Sequence, residues 1–301
     1  MRFTTWLVLL ATLLLWSGNW IVARAVRDEI SPGVATVGRL VVVLAILLPF
    51  AWRGLQQKLP LLTRRDWLVL AALGLTGGGP HLGLQWLGLH YTTAASGILY
   101  LSTTPIFILL MTLVLGERIV ARQWAGVAIS FVGVLLIATH GDIARLSFNL
   151  GDLMALASMV MWAGYTVLLR VKRDPLEVIE LLCMVCTFGV LFMAPWLFFE
   201  AITGVTLRPS TPGALAVLYS AIGSLLLAYA GWSYVVARLG PARAGVTLHL
   251  MPAFGVLLSV IFLHEYPSWF HFVGIALILA GVALSAFRRK EFRASSASSS
   301  R

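Results

Sequence analysis

Aromatic and amide side chains recur along one side of the first long apolar segment. Trp16, Asn19 and Trp20 are separated by three and four residues, so they share one face of a helix. Half a chain length later, Trp162 and Tyr165 occupy the equivalent positions with the same spacing. Aromatic rings stack on other rings, while indole and hydroxyl groups satisfy polar atoms. The two faces predict a binding surface for a small aromatic or amphipathic solute.

A second set of candidates consists of polar or aromatic residues whose equivalents in the other half of the chain are also polar or aromatic. A residue near the axis that relates two duplicated halves should have a partner in the equivalent helix. The residues selected in this way are His81, Gln85 and Tyr100 in the first half, and Tyr229, Ser233, Thr247 and His249 in the second. Trp and Tyr also anchor helices at membrane surfaces, and Ser, Thr and Asn also join helices. We favour substrate binding for the whole set because both halves repeat the pattern.

Charged side chains are scarce inside the apolar segments. Arg39 is the only strongly basic residue deep within one, where an unpaired charge costs about 3 kcal/mol. It could hold a substrate carboxylate, bond to carbonyl oxygens at a broken helix, or extend to the membrane surface. Glu117 and Glu265 end two equivalent segments, and we interpret them as structural or gating residues.

Prolines mark the candidate hinges. Residues 77–80 read GGGP in the third apolar segment, followed by His81. Proline lacks an amide proton and clashes with the preceding turn, so the sequence predicts that this helix kinks or opens there. Pro105 and Pro252 occupy equivalent positions in the fourth and ninth segments. We interpret Pro80, Pro105 and Pro252 as candidate hinge or gating residues.

The sequence offers no basis for enzymatic chemistry. It has no Ser–His–Asp set, no pair of intramembrane acids and no metal-binding motif. It has no GxxxxGK loop for nucleotide phosphates and no ring of charge typical of a channel. We therefore predict a protein that is not an enzyme and uses no cofactor or metal.

Composition predicts that these residues lie in membrane-spanning helices. The 301 residues are 59% hydrophobic and only 11% charged, whereas a soluble domain has about 25% charged residues. The apolar residues form runs of about 20, the length that crosses a bilayer core. Ten such runs start near Trp6, Pro32, Trp67, Thr93, Arg122, Asn149, Leu176, Pro212, Ala242 and Ser268. The sequence therefore predicts an all-α integral membrane protein with ten transmembrane helices, surrounded by the lipid bilayer.

Positive charge is unevenly distributed among the loops. The net charge is +10, and Lys and Arg concentrate in alternate loops such as 53–65, 170–173 and 288–293. Cytoplasmic loops carry such an excess, so both termini are predicted to be cytoplasmic. This distribution accounts for the basic character without nucleic acid as a partner. Residues 291–301 are Ser-rich and are predicted to form a disordered cytoplasmic tail.

The chain is predicted to consist of two related halves. The stretch AASGILYLSTTPIFILLMTLVLGERI starts at Ala94, and ARAGVTLHLMPAFGVLLSVIFLHEYP starts at Ala242. Residues 1–146 and 147–290 would each hold five segments, and an odd number places the halves in opposite orientations. Such inverted repeats are typical of secondary transporters, whose substrate site lies near mid-membrane between the halves.

Three stretches resemble a known group of transporters. WSGNWIVAR at 16–24, PIFILLMTLVLGERI at 105–119 and PAFGVLLSVIFLHE at 252–265 are similar to the drug/metabolite transporter superfamily, in particular its EamA-type members with two five-helix repeats. Within that group the sequence most resembles bacterial aromatic amino-acid exporters of the YddG type. The resemblance implies a central cavity, alternating access and a place in the bacterial inner membrane. We therefore expect export of aromatic or hydrophobic amino acids, with efflux of cationic or amphipathic drugs or metabolites as the alternative.

Overall fold

The computed structural model describes most of the chain. The described residues are 3–26, 28–91, 100–142, 144, 149–203, 210–263 and 268–286. They form helices joined by turns and short loops, and none of them lies in a β-strand. The predictions about Glu265 and the tail 291–301 lie outside these residues.

Thirteen α-helices lie in the described residues and are numbered in chain order. Their bounds are Phe3–Ala25 (α1), Pro32–Lys58 (α2), Arg64–Gly77 (α3), Gly79–Tyr91 (α4), Thr104–Val114 (α5), Ala121–Ala138 (α6), Leu150–Val171 (α7), Val178–Ile202 (α8), Thr211–Tyr219 (α9), Ala228–Leu239 (α10), Pro241–Val246 (α11), Leu250–Leu263 (α12) and Trp269–Ala286 (α13). A π-helical segment, Ser220–Leu227, joins α9 to α10. A 3-10 turn, Thr247–His249, joins α11 to α12.

Seven stretches of the described residues are long and apolar enough to cross a membrane. They are Phe3–Ala23, Pro32–Leu61, Arg64–Gly88, Ala121–Ala138, Leu150–Val171, Val178–Ile202 and Thr211–Leu239. They coincide with seven of the ten predicted runs, and shorter helices occupy the other three. The all-helical class is therefore confirmed and fits a membrane protein, while a total of ten spans in an inverted repeat remains a prediction.

Large apolar side chains lie on the outside of the helices. Phe50, Val114 and Phe272 are 76%, 87% and 63% exposed, respectively. Hydrocarbon tails of lipids would cover such side chains without the cost of ordering water around them. This distribution fits the predicted bilayer.

Glycine pairs bring α6 and α13 into backbone contact. A Cβ atom built on Gly126 would lie 2.5 Å from the Gly281 carbonyl oxygen, and one built on Gly133 would lie 2.5 Å from the Gly274 carbonyl oxygen. Only glycine leaves room for helices this close. The two glycine pairs therefore hold α6 directly against α13.

Most helices of the first half pack against helices of the second half. The described pairs include α2 with α8, α4 with α7, α1 with α10 and α5 with α11. In the duplication, α1 is equivalent to α7, and the pair α3 and α4 is equivalent to α9 and α10. The contact of α1 with α10 is therefore equivalent to the contact of α7 with α4. The core therefore lies between the halves rather than inside each one.

Both halves interrupt a helix at equivalent positions. In the first half, α3 ends at Gly77 and α4 begins at Gly79, so the predicted break is confirmed. A Cβ atom on Gly79 would overlap the Gly189 carbonyl oxygen of α8, which explains glycine there. In the second half, the π segment Ser220–Leu227 departs from α geometry without a proline.

Candidate functional site

Five large rings from three helices meet between the two halves. They are Trp16 of α1, Trp162 and Tyr165 of α7, and Tyr229 and Trp232 of α10, and all five are buried. The Trp16 and Trp162 centroids lie 5.1 Å apart in an edge-to-face arrangement, and Trp162 stacks on Tyr165 at 4.9 Å. Tyr229 lies edge-on to Trp162 at 5.1 Å. Each such pair contributes about 0.5–1.5 kcal/mol beyond its buried area, so this central ring cluster is a closely packed unit.

A cavity of about 40 Å³ lies against the central ring cluster. Its walls include seven of the twelve predicted binding residues: Trp16, Asn19, Trp20, His81, Gln85, Trp162 and Tyr229. Residues of both halves therefore converge on one space, as the duplication predicted. One water needs roughly 10–15 Å³, so the cavity holds about three waters. An aromatic solute would need the rings to move apart.

Hydrogen bonds fix the cavity walls to the two interrupted helices. The Tyr229 hydroxyl donates to the Gly77 carbonyl oxygen over 2.7 Å, at the end of α3. The Trp16 indole Nε1–H donates to the Ser224 carbonyl oxygen over 3.0 Å, within the π segment. Ser220 Oγ of the same segment donates to Asn19 Oδ1 over 2.7 Å. A rearrangement of either interrupted helix would therefore move the cavity walls directly.

His81 is held by α7 and by the ring cluster. Its Nδ1 lies 2.8 Å from the Ser158 carbonyl oxygen, and its ring stacks on Trp162 at 5.3 Å. A carbonyl only accepts hydrogen bonds, so Nδ1 carries the proton and Nε2 is left as an acceptor. The ring thus offers the site a fixed orientation and one acceptor nitrogen.

Five predicted binding residues do not line this cavity. Tyr165 lies one layer behind it, stacked on Trp162, and its ring fills the space beside Gly77. Tyr100 is buried and interacts with Asp152 near the start of α7. The Ser233 hydroxyl is buried one turn beyond Tyr229 and is not part of the wall.

Thr247 and His249 also lie outside the lining of this cavity. Thr247 Oγ1 donates to the Ala244 carbonyl oxygen over 2.6 Å, within its own turn. His249 Nε2 lies 2.8 Å from the Ser102 carbonyl oxygen, and its Nδ1 contacts Ser130 Oγ. His249 therefore connects three segments of the fold. Leu248, between these two residues in the 3-10 turn, does line the cavity, so the side chains of Thr247 and His249 lie on the other sides of the turn.

Sequence reasoning missed part of the site. The remaining wall residues are Leu82, Leu101, Met159, Ser224, Leu248 and Met251. Trp232 was also missed, although its ring lies 5.4 Å from Trp16 and its Nε1–H donates to Thr166. The selection required a polar or aromatic equivalent in the other half, and the equivalent of Trp232 in the first half is Leu84. Its position three residues after Tyr229, on the same helix face, could have revealed it.

Arg39 lies behind the cavity wall. The side chain is 1% exposed, and its Nε and Nη2 atoms have no hydrogen-bond partner among the described residues. Its guanidinium lies 5.5 Å from the centroid of the Trp86 ring. The predicted extension of this side chain to the membrane surface is therefore wrong.

The predicted hinge prolines share one structural position. Pro80, Pro105 and Pro252 each lie in the first turn of a helix that follows an interruption, in α4, α5 and α12. The first turn lacks partners for its N–H groups, so proline fits there. Glu117 follows Gly116, which ends α5 with φ of 79°, and its backbone N–H donates to Thr112. A gating role for these residues stays a prediction, as it does for Glu265.

Several known proteins resemble this chain over nearly its whole length. An "uncharacterized transporter" of Archaeoglobus fulgidus is 29% identical, covering 97% of this chain and 100% of that protein. A "probable terminal-alkyne amino-acid exporter" of Streptantibioticus cattleyicolor is 28% identical, covering 92% of this chain and 91% of that protein. The "uncharacterized inner membrane transporter YedA" of Escherichia coli is 26% identical, covering 92% of this chain and 88% of that protein. One solved crystal structure shares the fold, with a TM-score of 0.70 and 23% identity over 95% of this chain and 97% of that chain.

The sequence pattern of one family matches the chain twice. The EamA-like transporter family aligns with residues 4–139 and again with residues 149–287. The two matches cover both parts of the duplication and nearly all of the described helices. The chain therefore belongs to the EamA-like transporter family, within the drug/metabolite transporter superfamily.

Proposed function

We propose that this transporter exports neutral aromatic and hydrophobic amino acids across the bacterial inner membrane by alternating access. The observation that carries the proposal is the convergence of Trp16, Trp162, Tyr229 and His81 on one buried cavity. Aromatic walls favour solutes that stack and that carry a few polar atoms. The printed name of one relative, a probable amino-acid exporter, supports the same substrate class.

In the proposed mechanism, the two halves move relative to each other about the cavity between them. Residues 1–146 and 147–290 form inverted five-helix repeats with both termini in the cytoplasm, and the cavity lies at their interface. The present cavity is too small for a phenyl or indole ring, so substrate binding separates rings of the central cluster. The interrupted helices at Gly78 and Ser220–Leu227 move the walls, because Tyr229 and Trp16 bond to them.

Modest affinity suits an exporter, which must release what it binds. Burial of a ring contributes about 25 cal/mol per Å², and much of that offsets ordering and desolvation. We expect dissociation constants on the order of micromolar to millimolar.

Efflux of cationic drugs or metabolites is the second candidate. The faces of Trp and Tyr rings also hold quaternary ammonium groups, and the ring cluster supplies several. Against it, none of the described residues in the cavity wall is a carboxylate, and the buried Arg39 guanidinium lies behind the wall.

Transport by purified protein in liposomes tests both candidates. Liposomes would take up labelled Phe, Leu, Glu, Lys or tetraphenylphosphonium, with and without a pH gradient, and protein-free liposomes and Trp162→Ala would serve as controls. We expect Phe and Leu to be transported at least several-fold faster than Glu or Lys. Equal rates for Phe, Glu and Lys would refute the aromatic amino-acid proposal, and transport of tetraphenylphosphonium alone would establish the second candidate.

A further inference from the structure

Arg39 is a buried cation that lies 5.5 Å from the Trp86 ring centroid and has no carboxylate partner among the described residues. Two of its three guanidinium nitrogens are buried without a hydrogen-bond partner among the described residues. None of the described ion pairs includes Arg39. An isolated buried charge costs several kcal/mol. A native fold carries such a cost where a ligand or a mechanism uses the group.

The carboxylates of the neighbouring helix are already engaged elsewhere. Helix α8 packs along α2 and carries Glu180 and Glu200 near its two ends. Glu180 bonds to Lys58 over 2.8 Å. Glu200 accepts hydrogen bonds from Ser31 Oγ, the Gly33 backbone N–H and Trp196 Nε1. Both acids therefore hold the ends of α2, and neither of them pairs with Arg39.

The position of Arg39 connects it to the cavity. Helix α2 packs against α4 and against the π segment, and these two elements supply His81, Gln85 and Ser224 to the cavity wall. The Trp86 ring beside the guanidinium belongs to α4, the helix that also supplies His81 and Gln85 to the wall. The guanidinium is therefore buried outside the lining, next to a helix that forms part of the wall. Separation of α4 from α2 would expose it to a bound solute.

We propose that Arg39 binds the carboxylate of the substrate when the cavity opens, while the ring cluster receives the apolar side chain. A guanidinium presents N–H donors in a planar fork that matches the two oxygens of a carboxylate. The unpaired Nε and Nη2 atoms form one edge of that fork. The inference rests on the proposed transport of amino acids and assigns the residue that distinguishes an acid from an amine or an amide.

Pairs of ligands that differ only in the carboxylate provide the test. Binding of L-phenylalanine and L-phenylalaninamide, and of 3-phenylpropionate and 3-phenylpropionamide, would be measured by the shift in Tm of purified wild type, Arg39→Gln, Arg39→Met and Arg39→Lys. We expect wild type to bind the carboxylate member of a pair at least tenfold more tightly, and Arg39→Gln and Arg39→Met to bind both members equally. Arg39→Lys should keep part of the preference because it keeps the charge without the fork.

Stability without ligand separates this role from a structural one. Replacement of an unpaired buried charge by an apolar side chain should leave the Tm of ligand-free Arg39→Met equal to or above that of wild type. A lowered Tm together with an unchanged carboxylate preference would overturn the proposal, as would a wild type that binds each pair equally. Binding of 3-phenylpropionate but not of L-phenylalanine would refute amino acids as substrates and still support Arg39 as the carboxylate site.

Discussion

Two buried histidines that look alike in the sequence have different surroundings. His81 stacks on Trp162 and lines the cavity, whereas His249 bonds to the Ser102 carbonyl oxygen and contacts Ser130, away from the cavity. Both are buried, so either could be mistaken for a substrate ligand. At the scale of single residues, burial and residue type therefore do not identify the site, and the identity of the neighbours does.

Alanine substitutions of the two histidines form a matched pair of variants. His81→Ala and His249→Ala each remove a buried hydrogen-bond partner and should each lower the free energy of unfolding by about 1–3 kcal/mol. Only His81→Ala should also raise the Kd for L-phenylalanine, by severalfold, because only His81 borders the cavity. Thermal unfolding and equilibrium binding would measure the two effects. A similar rise in Kd for His249→Ala would contradict the distinction.

At the scale of elements, the interrupted helices are hydrogen-bonded to the cavity wall. The break between α3 and α4 lies where Tyr229 bonds to Gly77, and the π segment lies where Trp16 bonds to Ser224. Neither interruption needs a long loop, because glycine and proline in one half and π geometry in the other change the helix locally. A rearrangement at either place would be transmitted to the rings through one hydrogen bond.

Pro80→Ala tests the hinge in the first half. Alanine would restore an N–H group that can bond to Thr76 and continue α3 into α4, so the walls should move less readily. We expect turnover in liposomes to fall several-fold while the Kd for L-phenylalanine changes less than twofold. Pro212→Ala, which also lies in the first turn of a helix but follows no interruption, is the control and should keep wild-type turnover. Unchanged turnover of Pro80→Ala would remove this hinge from the mechanism.

The α6–α13 contact makes a separate prediction about stability. A methyl group on Gly126 would clash with the Gly281 carbonyl oxygen and Ser285, so Gly126→Ala should cost about 1–3 kcal/mol. A Cβ built on Gly255 would meet no atom of the described side chains and backbone within 4 Å. Gly255→Ala should therefore leave the stability unchanged or raise it by about 0.5–1 kcal/mol. Thermal unfolding in detergent would compare the two, and equal Tm values would show that the helices can separate at no cost.

At the scale of the whole molecule, helices of the first half pack directly against helices of the second half. The helix pairs α1–α10 and α4–α7 are equivalent under the duplication, and both border the cavity. A cavity at such an interface can open alternately to two sides if the halves are inverted in the membrane. The orientation of the chain is therefore the property of the whole molecule on which the mechanism depends.

Cysteine accessibility tests the orientation. Thr203 and Gln57 are exposed near opposite ends of the helix pair α2–α8. In a background that lacks Cys183 and Cys186, Thr203→Cys should react with an impermeant thiol reagent added to intact cells, and Gln57→Cys should react only after the membrane is permeabilised. The reverse pattern would place both termini outside the cytoplasm.

The sequence by itself determined the features that depend on local composition. Runs of apolar residues predict helices and GGGP predicts an interruption, because each follows from the chemistry of neighbouring residues. The duplication also selected Trp16, His81 and Tyr229 before any contact was known. These predictions needed no knowledge of how one helix is rotated against another.

Only the tertiary structure decided which polar residues meet. Trp232 belongs to the ring cluster although its equivalent in the first half is Leu84. His249 does not line the cavity although its equivalent in the first half is also polar. That Arg39 Nε and Nη2 find no hydrogen-bond partner among the described residues likewise became visible only when α4, α8 and the π segment were in place around α2. The physical reason is that a rotation of one helix by a single residue changes which side chains face the centre, and packing against distant parts of the chain sets that rotation.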